Sequence, residues 1–127
     1  PPPAGSVHAG AFYEEYHGHK VEHLETVCGS FRRGGARLVF LAGDSSLDNK
    51  HWFFEPSVPK ADQLSRPSGF VAQALNGWEA VLRPPLMVKD VCYFLNREFQ
   101  ARAAGSQQRT IAVNTAIEES CLFDREN

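Results

Sequence analysis

The stretch RLVFLAGDSSLDNKHWFF, residues 37–54, decides the fold because it joins an apolar run to a polar turn and then to a helical pattern. Residues 37–42 are rich in Val, Leu and Phe between glycines, which predicts a strand buried on both faces in the centre of a parallel sheet. From residue 46 to residue 54 helical spacing returns, and two prolines end that helix. The turn Gly-Asp-Ser-Ser is therefore expected at the carboxyl end of a strand, where α/β sheets place their sites.

Two helices and a second strand are predicted elsewhere in the chain. Apolar residues spaced three and four positions apart over residues 21–31 predict a first helix that ends at Gly34 and Gly35. The run RTIAVNTA, residues 109–116, predicts a second buried strand. The run MVKDVCYFLNREFQARAAG, residues 87–105, predicts the clearest helix, with Gly105 as its stop and an apolar face made of Val88, Val91, Cys92, Leu95 and Phe99.

The segments between these elements carry weaker patterns. Residues 55–67 are expected to form a loop, residues 70–75 a short helix, and residues 78–82 an extended segment. Residues 1–19 are expected to be flexible or peripheral. The order of helices and strands predicts one α/β domain with a parallel sheet over residues 1–127.

Composition limits the function classes. The chain of 127 residues is 43% apolar, which fits one globular domain with a sizeable core. Its 13 basic and 15 acidic residues are interspersed and give a net charge of −2, so no nucleic-acid or anionic-membrane partner is indicated. No apolar run reaches the roughly 20 residues of a membrane span, and the N-terminal residues lack a signal-peptide pattern. A cytoplasmic protein is the default expectation.

Cysteine spacing argues against a zinc or disulfide framework. Cys28, Cys92 and Cys121 lie far apart and form no Cys-x-x-Cys pair. Each has apolar neighbours, where burial is expected to raise the thiol pKa and to lower its reactivity. We therefore expect reduced, partly buried thiols rather than a nucleophile.

The Gly-Asp-Ser-Ser turn, residues 43–46, admits two interpretations. A strand-to-helix turn directs backbone N–H groups outward at a helix N-terminus, where they can stabilise an oxyanion. The hydroxyl of Ser45 could then attack a carbonyl while the Ser45 amide binds the oxyanion that forms. Asp and Ser are also preferred N-cap residues, so the turn could simply begin the helix. The tripeptide alone leaves both roles open.

Longer stretches resemble the SGNH, or GDSL, hydrolases. FLAGDSSLDN, residues 40–49, is similar to the first block of that superfamily, and NGWEAVLRPPLMVKDVCYFLN followed by IAVNTAIEES resembles a eukaryotic branch of it. The resemblance implies a flavodoxin-like three-layer α/β sandwich and a serine esterase. It implies that Ser45 is the nucleophile and supplies one oxyanion amide, and that Asp44 braces the turn. It also implies that Asn114 matches an Asn preceding the second block, and that the Glu119 amide is the second oxyanion donor.

The chain departs from that family in its expected catalytic blocks. The family usually has Gly at the position of Glu119, where a carboxylate would stand beside developing negative charge. The third block, Gly-x-Asn-Asp, and the final Asp-x-x-His that supplies the general base do not occur in these 127 residues. The resemblance thus implies the N-terminal part of the domain, incomplete in this chain and completed by a second polypeptide or by C-terminal residues. A catalytically decayed interaction module of the same fold is the alternative.

Histidines offer two further candidate sites. His51 lies on the predicted helix six residues after Ser45, with its side chain directed away from the serine, so it is a poor candidate for the base. His19 and His23, four residues apart with His17 nearby, could bind a transition metal or could be ordinary surface histidines. Surface histidines are the favoured interpretation because no third ligand stands at an obvious spacing.

Acidic and aromatic residues after the Gly-Asp-Ser-Ser turn offer two more candidate sites. Asp44, Ser46, Asp48 and Glu55 have the spacing of a calcium loop, but Asn49 stands where that loop requires Gly. The consecutive aromatics of HWFF, residues 51–54, cannot all face the core, so one could line a substrate cleft. The combined prediction is an esterase for a small-molecule ester, an acyl lipid or an O-acetyl sugar, that requires no metal or organic cofactor.

Overall fold

Short strands and helices alternate along the chain. The computed structural model describes residues 3–14, 18–42, 53–103 and 108–115. In chain order its elements are β1 Val7–His8, α1 Ala9–Phe12, α2 Val21–Arg33, β2 Arg37–Leu41, α3 Lys60–Gln63, β3 Val71–Gln73, a 3₁₀ turn Trp78–Ala80, β4 Leu82–Arg83, β5 Leu86–Val88, α4 Val91–Arg102 and β6 Thr110–Asn114. The fold is therefore mixed α/β, as the sequence predicts.

The strands form small parallel and antiparallel sheets. Strand β2 pairs in parallel with β6, from Arg37 opposite Thr110 to Leu41 opposite Asn114. Strand β1 pairs in parallel with β4, and β3 pairs antiparallel with β5. Within the described ranges each sheet has two strands. The predicted strands over residues 37–42 and 109–116 are confirmed, and they are parallel neighbours.

The prediction that β2 is central and buried on both faces is wrong for the described part of the chain. Its one strand neighbour there is β6, and the Phe40 side chain is 48% exposed. The guanidinium of Arg32 lies over the Phe40 ring, 5.9 Å from the ring centroid. A charged group with a flexible stem covers an aromatic ring less completely than a packed apolar helix would.

Helix α2 follows its apolar periodicity. Its buried side chains are Val27, Cys28 and Phe31, and it ends where Gly34 and Gly35 were expected to stop it. Gly35 has a φ of +82°, a left-handed conformation that residues with a Cβ adopt at a cost. This geometry turns the chain directly into β2. The first predicted helix is confirmed.

Helix α4 is confirmed, but its start and its buried face differ from the prediction. Asp90 is the N-cap, and its carboxylate accepts from the backbone N–H of Tyr93 at 2.9 Å. Val88 therefore lies in β5 instead, and Val91, in the first turn, is 41% exposed. The buried residues of the helix are Cys92, Tyr93 and Asn96. The polar side chain of Asn96 thus lies on the buried face of the helix, where the sequence pattern predicts apolar residues alone.

The short helix expected over residues 70–75 is a strand, and the extended segment expected at residues 78–82 is mostly a 3₁₀ turn. Val71 lies opposite Val88 in the β3–β5 pair, so the strand is stabilised by a partner later in the chain. Asn76 and Gly77 have φ values of +55° and +97°, and this left-handed pair reverses the chain before Trp78. The loop predicted for residues 55–67 contains the short helix α3.

The N-terminal segment is not peripheral over residues 7–13. Val7, Ala9, Phe12 and Tyr13 are buried in the hydrophobic core, and β1 pairs with β4. Trp78 is the largest fully buried side chain among the described residues. Its ring lies 5.5 Å from that of Phe12 and 5.0 Å from that of Phe31. The N-terminal segment and α2 therefore both pack against the Trp78 ring.

The described helices are short. The longest, α2, has 13 residues. None of those within the described ranges combines the length and the hydropathy that crossing a membrane requires.

Candidate functional site

The carboxyl ends of β2 and β6 lie side by side. Leu41 is opposite Asn114, and the carbonyl of Leu41 accepts from the backbone N–H of Thr115 at 2.8 Å. The hydroxyl of Thr115 donates to the same carbonyl at 2.6 Å. Strands β2 and β6 therefore end at the same end of their sheet, and residues 43–46 and 115–120 follow these two ends in the sequence. These are the two segments whose motifs the sequence singles out.

Of the predicted site residues, Asn114 is described. It ends β6 and is 6% exposed. Asp44, Ser45 and Glu119 lie outside the described residues, and so does His51. The predicted helix over residues 46–54 lies there too, except for Phe53 and Phe54, which are in a turn. The described geometry thus fixes the two strand ends from which the motif segments depart.

Side chains cover the edge of β6 that does not pair with β2. The Asn96 side chain accepts from the N–H of Ala112 at 2.8 Å and donates to the carbonyl of Ala112 at 2.9 Å. The indole N–H of Trp78 and the thiol of Cys92 donate to that carbonyl at 3.2 and 3.3 Å. Two residues earlier, the amide of Asn76 donates to the carbonyl of Thr110 at 2.9 Å. These contacts fix β6 against α4 and the turn before Trp78.

The two described cysteines are buried thiols, as expected. Burial raises the pKa of Cys28, and the nearby Arg32 guanidinium lowers it in part. Burial raises the pKa of Cys92 well above its ordinary value, with a further rise from the Asp90 carboxylate. Hydrogen bonds with the backbone of Asn114 and the side chain of Asn96 oppose that rise. Both thiols are therefore poor nucleophiles near neutral pH, and Cys121 lies outside the described residues.

His19 belongs to an aromatic cluster rather than to an exposed surface. Its ring stacks on that of Phe12, with centroids 3.8 Å apart, and its Nδ1 donates to the Phe12 carbonyl at 2.6 Å. The ring of His23 lies 6.3 Å from that of Phe12, and both histidines are half-buried. His17 lies outside the described residues. In the part of the chain that the structure describes, no three His, Cys, Asp or Glu side chains converge as a metal site requires.

A cavity of about 700 Å³ lies between α1 and the segment over residues 54–61. Phe54, a residue of the aromatic run HWFF, lines it and is 7% exposed. The Glu55 carboxylate, the last position of the calcium-loop spacing, accepts from the hydroxyl of Ser57 at 3.0 Å. The other members of that spacing lie outside the described residues.

Sequence reasoning missed three features: the role of Asn96, the turn at Asn76 and Gly77, and the cavity wall. Asn96 carried no signal of its own, because a single Asn within an amphipathic helix is ordinarily a solvent-facing residue. The dipeptide Asn76-Gly77 is a turn signal that could have been recognised, since both residues tolerate a positive φ. The cavity wall was assigned to a loop, and its helix α3 is only four residues long.

Comparisons with protein-family models, with curated proteins and with solved structures find no match to this chain. A functional assignment therefore rests on the sequence motifs and on the geometry of the strand ends.

Proposed function

We propose that the chain is part of a serine esterase of the SGNH type that hydrolyses carboxylic esters through an acyl-enzyme on Ser45. One observation carries this proposal: the parallel pairing of β2 and β6 ends at Leu41 and Asn114, and the two SGNH-like motifs follow those residues directly. An SGNH site needs both motifs at the same end of the sheet, because the nucleophile and an oxyanion donor come from different strands.

The proposed reaction uses the turn after β2. The Ser45 hydroxyl attacks the ester carbonyl, its proton passes to a general base, and the alcohol leaves as the acyl-enzyme forms. The amides of Ser45 and Glu119 hold the oxyanion, with Asp44 bracing the turn and Asn114 supporting the site. Water then attacks the acyl-enzyme and releases the carboxylic acid. The Asp-His pair that acts as the base is assigned to residues outside this chain.

The proposed fold is the flavodoxin-like three-layer sandwich of that family, with β2 as its first strand and β6 as the strand carrying the second motif. The side chains that cover the outer edge of β6 support a rigid site. Asn114 is buried, and Ala112, two residues earlier, is held by the side chain of Asn96. Rigid elements position catalytic groups more accurately than loops do.

A non-enzymatic interaction module of the same fold is the second candidate. It is favoured by Glu119, which places a carboxylate where an oxyanion would develop, and by the lack of the Asp-x-x-His block in this sequence.

Reactivity of Ser45 distinguishes the two candidates. The chain, together with any polypeptide that copurifies with it, is first weighed under denaturing conditions and then treated with a fluorophosphonate probe. The esterase proposal expects labelling of the peptide that contains Ser45, loss of that label in Ser45→Ala, and its retention in the matched control Ser46→Ala. If Ser45 stays unlabelled while a reference serine hydrolase reacts under the same conditions, the interaction module is the better account.

A further inference from the structure

The cavity between α1 and residues 54–61 has the size and the lining of a small-molecule site. Its volume of about 700 Å³ lies within the range of roughly 300–1,000 Å³ that ligand sites occupy. The apolar residues Phe54, Pro56, Val58 and Pro59 line it from one side. Ala11 on α1 faces them from the other side. An apolar chain placed between these surfaces would lose part of its contact with water.

The wall of the cavity is held in place before any ligand binds. The Gln63 side chain donates to the carbonyls of Glu55 and Val58 at 2.9 and 2.7 Å, and it accepts from the Glu55 N–H at 2.9 Å. Three hydrogen bonds from one side chain thus fix the segment between two prolines, whose φ angles are already restricted. A preformed wall spares a ligand the entropic cost of ordering it.

The first turn of α3 closes the cavity against α1. A Cβ built on Gly10 would lie only 2.9 Å from the Cα of Ala61, so the two helices approach as closely as a glycine allows. The Lys60 ammonium donates to the Glu14 carbonyl at 3.1 Å and lies 5.5 Å from the centroid of the Phe54 ring. These contacts join the rim on the α1 side to the rim on the α3 side.

The described residues at the rim of the cavity carry more negative than positive charge. The side chains of Glu14 and Glu55 are exposed at the rim, whereas Lys60 is the one cation among the described lining residues. A carboxylate or phosphate head group would therefore be repelled more than attracted, and a neutral or cationic one would not.

We infer that this cavity binds the uncharged aliphatic chain of a neutral or cationic small molecule, and that it discriminates against anionic amphiphiles. Only the use of this cavity for an ester substrate rests on the proposed esterase function. In that role the cavity would hold the acyl or alkyl chain of a neutral ester, and its rim would disfavour the carboxylate product.

Three probes with the same chain test the inference: 1-hexanol, hexanoate and hexyltrimethylammonium. Each is titrated at low ionic strength while the backbone amide resonances of Val58, Lys60 and Ala61 are followed by NMR. We expect saturable shifts with hexanol, with a Kd on the order of millimolar. We expect binding of hexanoate to be about two- to fivefold weaker than that of hexanol, and binding of hexyltrimethylammonium to be at least as strong.

Matched variants locate the binding. Ala11→Phe fills the cavity and should weaken hexanol binding at least about tenfold, since a ring would occupy the space of the chain. Ala101→Phe, at an exposed position of α4 that does not line the cavity, should leave the Kd unchanged. Val58→Asp should also weaken hexanol binding, and Glu55→Gln should narrow the difference between hexanol and hexanoate, whereas the exposed control Glu22→Gln should not.

The inference is overturned if hexanol produces no saturable shifts at these amides, if Ala11→Phe with native-like spectra leaves its Kd unchanged, or if hexanoate binds best. Hexanol binding without fluorophosphonate labelling of Ser45 supports the cavity site and rejects its use by an esterase. Labelling of Ser45 without hexanol binding supports the esterase proposal and rejects the cavity site.

Discussion

Asn96 binds Ala112 through both backbone groups of that residue. Its Oδ1 accepts from the Ala112 N–H at 2.8 Å, and its Nδ2 donates to the Ala112 carbonyl at 2.9 Å. A side-chain carboxamide has the same donor and acceptor as a peptide group, so Asn96 pairs with the outer edge of β6 as a neighbouring strand would. The same Oδ1 also accepts from the Asn76 side chain at 2.9 Å, which extends the network to the turn before Trp78.

Replacing Asn96 should therefore be costly. Asn96→Ala leaves the Ala112 N–H buried without its acceptor and removes one of the two acceptors of the Asn76 amide, and Asn96 itself is 0% exposed. We expect the free energy of unfolding to fall by about 2–4 kcal/mol in urea denaturation. Arg97→Ala, at the exposed neighbouring position of the same helix, is the control and should cost less than about 1 kcal/mol. Equal losses in the two variants would show that the network does not stabilise the fold.

Thr115→Val tests the link between the two strand ends. The variant keeps the shape of the side chain and the backbone hydrogen bond to Leu41, but it removes the hydroxyl that donates to the Leu41 carbonyl at 2.6 Å. We expect a loss of about 1 kcal/mol in unfolding free energy and faster hydrogen exchange at amides of β2 and β6 near this edge. Thr26→Val, which removes an exposed hydroxyl donating to the Glu22 carbonyl, should leave exchange in these strands unchanged.

The sequence predicts β2, β6, α2 and α4 because each has a run long enough to show its period. It does not predict β3 and β5, which are three residues each and too short for a period to appear. Their conformation depends on the pairing of Val71 with Val88, a long-range contact that no local pattern encodes. The same holds for Val7, whose burial depends on a strand that starts at Leu82.

Site prediction divides in the same way. Asn114 could be placed at a strand end because the strand is a strong local pattern. The role of Asn96 could not, because its partner Ala112 is 16 residues away and no property of the helix marks the contact. Burial of Cys28 and Cys92 followed directly from their apolar neighbours.

Alkaline pH should destabilise the protein through Tyr13 and Cys92. Burial raises the pKa of the Tyr13 phenol well above its ordinary value of 10.0 and that of the Cys92 thiol well above 9.0, with a smaller contribution from Asp90 in each case. The native state therefore holds both protons more tightly than the unfolded state. The resulting stability is complete below pH 9 and is lost as the pH rises through 9 and 10 towards the raised native values.

We expect the free energy of unfolding to fall by up to about 1.4 kcal/mol per pH unit for each group above its ordinary pKa. Tyr13→Phe removes one of the two, so its stability should fall less steeply than that of the unmodified chain between about pH 10 and pH 11. Urea denaturation at pH 7, 10 and 11 measures both slopes. Parallel slopes for the two proteins would contradict this role of Tyr13.

Gln63 should stabilise the wall of the cavity and contribute little to the stability of the hydrophobic core. It is half-buried and makes three hydrogen bonds to the backbone of Glu55 and Val58. Gln63→Ala should therefore lower the unfolding free energy by only about 1–2 kcal/mol, since solvent can replace the partners at this exposed segment. It should increase proteolytic cleavage within residues 55–59 and weaken hexanol binding severalfold, because the wall must then be ordered on binding.

Gln73→Ala, at an exposed position of β3, is the control and should change neither property. Hexanol affinity that is unchanged in Gln63→Ala, with the segment cleaved more readily, would mean that the cavity does not depend on a preformed wall.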